Sequence, residues 1–231
     1  MTFQKFLTLA LLTAVALPVH AAGKKASALQ TVAAEHLHRS VGEVAILATA
    51  NPLANENSTG SAALVRVAEG ADGGNPTCHL LVLEGRASTP GKVLGSLQLS
   101  LCPRYDQGKH TQLTRVELDK RRSAWRLRLD SQRVDTMAKG VESSVLWALV
   151  ADLGDGQGHK LVFERTSTTF KSKEDPKMNQ AELCDAPVLQ SGQEPEGLKI
   201  TCDTETMLGN LAKRQRSTFE YAWQGDRFAP K

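Results

Sequence analysis

The sequence predicts a mainly β protein: an antiparallel β-sandwich or barrel-like domain with a short N-terminal helix and two hairpin disulfides. Apolar and polar residues alternate with period two in short runs at 63–67, 78–84, 93–102, 112–119, 124–130, 144–151, 159–166, 182–189, 198–202 and 218–223. Turn-forming clusters such as 70–76 and 152–158 separate the runs, and no long helical pattern lies between them. The four cysteines, Cys78, Cys102, Cys184 and Cys202, fall into two pairs that each bracket a turn.

Taken in chain order, residues 1–21 read as a secretory signal. Lys5 supplies the charged start, 6–17 form an apolar core, Pro18 breaks it, and Ala21 offers the small residue before cleavage. That apolar core is shorter than the roughly 20 residues needed to span a bilayer, so no transmembrane segment is expected in the mature chain. The expected location is secreted or periplasmic. A segment at 22–60 follows, with a helix over 27–39, where Leu29, Val32, Ala33 and Leu37 share helical spacing. A first strand is expected over 41–48 and a polar loop over 51–60. The β-rich domain is expected over 61–231, interrupted by two weaker helical patterns at 131–140 and 204–214.

In an oxidising compartment an even cysteine count argues for disulfides. Folding 78–102 as a hairpin about Pro90 puts Leu83 opposite Leu97, Leu81 opposite Leu99 and Cys78 opposite Cys102. The second pair brackets a Gly- and Pro-containing loop centred on Gln193, which sets Cys184 opposite Cys202. Directly opposed strand residues lie about 4.5–5.5 Å apart, within reach of a disulfide. No Cys-x-x-Cys knuckle suggests zinc instead.

A third hairpin joins 112–119 to 124–130. A loop over 120–123 sets Leu118 against Trp125, Val116 against Leu127 and Glu117 against Arg126. This hairpin carries a dense basic cluster, and Lys120, Arg121, Arg122, Arg126 and Arg128 are its candidate contacts for an anionic partner. A solvated hairpin face is the plainer account of the same charges. At the C-terminus, Phe219, Tyr221 and Trp223 alternate onto one face, and Gly225-Asp226 turns the chain so that Phe228 returns to it. Burial of all three aromatics against the fold is expected.

With 41% hydrophobic and 23% charged residues, the composition is that of a globular protein. A formal net charge of +3 gives no whole-molecule reason to bind nucleic acid, and no nucleic-acid partner is expected. Histidines are scattered: His36 and His38 would diverge on a helix, and His79 alternates with Leu81 and Leu83 as an inner-face residue. The 152–158 loop is acidic and glycine-rich but lacks EF-hand spacing. No nucleophile elbow, phosphate loop or zinc-protease motif occurs, and no cofactor is expected. The expected function is a non-catalytic binding or structural module of the cell envelope, its partner an envelope polymer or protein. The alternative is a hydrolase of an envelope polymer, or an inhibitor of one, for which two carboxylates about 5–9.5 Å apart in a cleft would speak.

Overall fold

The computed structural model describes residues 26–51, 60–68, 75–103, 111–120, 122–137, 139–153, 158–191, 195–208 and 211–231. Residues 1–21, expected to be a signal, and Arg121 lie outside them. One helix, α1 (Ala28–His36), precedes β1 (Val44–Ala50), β2 (Gly60–Val67), β3 (Thr77–Arg86) and β4 (Thr89–Gln98). Then come β5 (Gln112–Glu117), β6 (Ser123–Asp135), β7 (Gly140–Asp152), β8 (His159–Ser172), β9 (Gln180–Cys184), β10 (Val188–Ser191), β11 (Pro195–Leu208), β12 (Leu211–Trp223) and β13 (Phe228–Pro230).

The strands form two antiparallel sheets. The smaller has the order β1-β2-β3-β4. The larger runs β13-β12-β11-β9-β8-β7-β6-β5, with β10 paired to β11. Three apolar interfaces hold the layers together. Alternation on β2 and β3 sends Ala62, Leu64, Leu80 and Val82 to one side, against Trp125, Leu127, Leu129, Leu146 and Val150 of the larger sheet. Ala63, Val65, Leu81 and Leu83 point the other way and are covered by Leu29, Ala33 and Ala34 of α1. The opposite face of β6–β8, with Ala124, Trp147, Leu149 and Phe163, is covered by Leu198, Ile200, Cys202 and Phe228 from β11 and β13. The larger sheet thus climbs over itself: β8 pairs β9 only at Thr169–Ala181 and Phe170–Gln180, and beyond that point the later strands lie on its outer face.

The helix begins where expected. Ser27 accepts from the Gln30 N–H at 3.1 Å, satisfying one of the free amides of the first turn. At its far side Gln30 Nε2 donates to Val41 O and Val44 O, pinning α1 to the start of β1.

Both disulfides form as expected. Cys184 and Cys202 are direct register partners between β9 and β11, with Cα atoms 4.0 Å apart. The 182–189 run is nevertheless two strands, β9 and β10, each paired to β11, because residues 185–187, which include Pro187, interrupt it. Cys78–Cys102 closes differently from the hairpin register expected. The turn falls at Ala87–Ser88, so Leu83 meets Val93 and Leu81 meets Ser96. Two register shifts and the left-handed Gly85 (φ 80°) tighten the β3–β4 end. Leu99 N–H donates to Cys78 O, and the chain beyond β4 then brings Cys102 back, Cα to Cα 5.1 Å.

Three further expectations are corrected. The β5–β6 register places Arg115, not Leu118, opposite Trp125, and Glu117 opposite Ser123 rather than Arg126. The cause is Asp119, 5% exposed, whose carboxylate accepts from the Arg122 backbone N–H at 2.6 Å and Nε at 2.7 Å and so folds the chain back early. The 131–140 and 204–214 patterns are not helices: they are the outer ends of β6 and of the β11–β12 pair. Finally, the C-terminal hairpin forms, with Trp223 opposite Phe228, but only Phe228 is buried. Tyr221 and Trp223 are half-buried and Phe219 is 36% exposed.

Candidate functional site

Three arginines of the basic hairpin are engaged with the protein itself. Arg122 is held by Asp119 and lies over Trp223, 5.8 Å from the ring centroid. Arg128 pairs with Asp130 and lies 5.6 Å from Trp147. Arg115 stacks 4.3 Å above Trp125. Each tryptophan of the chain therefore carries a guanidinium on its face, an attraction between cation and ring quadrupole that also covers apolar edges. Arg126 is half-buried mid-strand, and Lys120 is exposed at the turn.

A fourth stack joins the β8 layer to the strands above it. Arg165 lies 4.0 Å over Phe219, donates to Tyr221 Oη at 3.1 Å and pairs with Glu182. Burial disfavours its charged form, but the Tyr221 and Glu182 contacts outweigh this and raise its pKa. Phe163 meets Tyr221 edge-to-face at 5.0 Å. Glu182, Cys184 and Cys202 bring carboxylate and sulfur atoms together, but the two sulfurs are bonded to each other, so the cluster is not a ligand set.

The histidines have separate places. His79 is half-buried on β3 beneath α1 and bonds Thr77 Oγ1 at 3.1 Å. Burial lowers its pKa, helped by the nearby His36 and Arg39. His159 is wedged against Gly95 of β4, where an added Cβ would come within 3.3 Å of its Nδ1. Burial lowers its pKa too, against the opposing pull of Asp152.

A concavity lies where β6–β9 and β11 extend past the sandwich. This groove, of about 710 Å³, is walled by Val141, Phe170 and Leu183 and by the polar Gln132, Ser143 and Gln180. Lys171 and Lys173 stand exposed on its rim. Gly140 shapes one wall: a Cβ there would fall 2.4 Å from the Phe170 ring, so only glycine lets the ring rest against the backbone. Asn179 Oδ1 accepts from Ser172 N–H at 2.8 Å and fixes the turn between β8 and β9 at the groove end. Across Ala181, Leu183 and Glu205 the groove continues into a second hollow of about 540 Å³, bordered by Arg214 and Arg216. There Arg214 pairs with Glu205 at 2.8 Å, and Arg216 reaches Asp185 at 3.4 Å and Asp203 at 3.8 Å.

None of these groove residues was singled out from sequence. The groove is made by the outer ends of its strands, where, as at 132–134 of β6, burial fades and with it the alternation by which buried strands announce themselves. No family model, characterised protein or solved structure matches the chain.

Proposed function

We propose that the protein is an exported, non-catalytic binding module of the cell envelope that holds an anionic glycan along the groove of the larger sheet. The observation that carries this reading is the composition of the groove: one aromatic ring among aliphatic side chains, amides and hydroxyls, two exposed lysines on the rim, and a single carboxylate, Glu205, that Arg214 neutralises. A sugar offers an apolar face, hydroxyl edges and, in a uronate, a carboxylate. Phe170, the Gln132, Ser143 and Gln180 set, and Lys171 with Lys173 supply a counterpart for each. The disulfides suit an oxidising compartment. In an NMR titration with a uronate oligosaccharide, shifts are expected at Gln132, Ser143, Lys171 and Gln180. Shifts confined to 117–128 would return the contact to the basic hairpin and refute the groove.

One observation favours a hydrolase. Asp203 and Glu205, alternate residues on β11, both line the second hollow, about 7 Å apart along the strand. That is the spacing of their backbone positions, on one side of the strand, and a glycosidase needs its two carboxyl groups about 5–9.5 Å apart. Both are engaged by arginines, which suits a structural pair better than a proton donor and a nucleophile. Release of reducing ends, abolished by Asp203→Asn, would establish the hydrolase.

A further inference from the structure

We infer that the outer edge of β12 is a docking site for an extended acidic peptide, which adds to the larger sheet as one more strand. β12 is thirteen residues long and pairs with β11 along its whole inner side. On its outer side β13 covers only Tyr221–Trp223, and Lys231 N–H donates to Glu220 O at 3.0 Å. From Leu211 to Phe219 the outer edge has no strand partner among the described residues. Residues 211–216 are all exposed.

The free backbone groups can be assigned. Glu220 turns its carbonyl outward to Lys231, whereas Gln215 turns its carbonyl inward, accepting from Thr204 Oγ1 at 3.1 Å. Alternation then directs the N–H and C=O of Ala212, Arg214, Arg216 and Thr218 outward, a ladder of donors and acceptors with no strand partner among the described residues. An open edge of this kind pairs with any extended chain unless something discriminates.

Charge does so here. Lys213, Arg214 and Arg216 line the open edge. Lys213 has no ion-pair partner among the described residues. Arg214 commits only Nε to Glu205, and Arg216 makes only long contacts to Asp185 and Asp203. Guanidinium donors therefore remain for a carboxylate on an incoming strand. A second copy of β12 would instead bring these cations together, so an acidic chain is the partner that fits.

The test uses the full chain and a blocked ten-residue peptide alternating Glu and Val. Binding is expected, with slowed hydrogen exchange at Arg214, Arg216 and Thr218. Arg216→Pro removes one outward N–H and obstructs the edge without touching an inward one. It should weaken binding at least tenfold while the melting temperature holds. Arg214→Gln with Arg216→Gln keeps the edge and should weaken binding and flatten its salt dependence. This pair also decides the matter if the proline variant does not fold. Lys171→Gln with Lys173→Gln should leave peptide binding unchanged, which separates this site from the groove. The inference is overturned if the wild type does not bind, or if a Gln–Val peptide binds equally well. Dimerisation of the wild type that Arg216→Pro abolishes would also overturn it, by giving the edge to a second copy.

Discussion

Single residues decide the details that a pattern cannot. Asp119 looks like any turn aspartate in sequence, yet its buried carboxylate sets the register of β5 against β6. Asp119→Ala strands a buried turn, and a loss of about 1–3 kcal/mol is expected in urea unfolding. Gly140→Ala drives a methyl into Phe170 and should cost about 1–3 kcal/mol while disturbing the groove wall, visible as a change in Phe170 ring shifts. The two half-buried histidines give a pH signature. Burial lowers both pKa values below that of the unfolded chain, so the unfolded state binds more protons near pH 6. Stability should therefore fall on acidification through the ordinary histidine range, about 6.5 downward, and level off once both are protonated in the fold. Melts of His79→Gln and His159→Gln should show a shallower dependence than the parent chain.

At the scale of elements, legibility in the sequence tracked burial. The β9–β11 register was readable because Cys184 and Cys202 bracket a loop symmetrically and both flanks carry apolar residues at matching positions. The β3–β4 register was not, because two bulges displace the turn from Pro90, and a bulge leaves no mark in a period-two pattern. The segments 131–140 and 204–214 resembled helices for a related reason: their strands run past the sandwich into solvent, where neither face selects apolar residues. Cross-strand partners hold them extended instead, as in the pairing of Arg133 with Glu142 and of Arg214 with Glu205. The same exposure hid the groove. Cys184–Cys202 ties β9 to its neighbour β11, and Cys78–Cys102 ties the chain beyond β4 back to β3. Replacing Cys184 and Cys202 by Ser is expected to cost about 2–4 kcal/mol, read from chemical unfolding. The C-terminal hairpin covers the third apolar interface through Phe228, Tyr221 and Trp223. A chain ending before Ser217 should be protease-sensitive, whereas loss of Pro230 and Lys231 alone should leave proteolysis unchanged.

For the molecule as a whole, three stacked apolar interfaces leave the far end of the larger sheet free of structural duty, and both proposed contacts sit there. In the basic hairpin, by contrast, Arg115, Arg122 and Arg128 already have aromatic or carboxylate partners. An exposed lysine contributes up to about 1 kcal/mol to an ionic contact, so removing two should weaken an anionic ligand roughly tenfold. The direct measurement is affinity electrophoresis of the protein through gels holding either a polyuronate or its carboxyl-reduced, neutral form. Retardation by the polyuronate is expected, diminished by salt and by Lys171→Gln with Lys173→Gln, and unaffected by Arg121→Ser with Arg122→Ser. Equal mobility in both gels, or retardation that survives loss of the two lysines, would contradict the account.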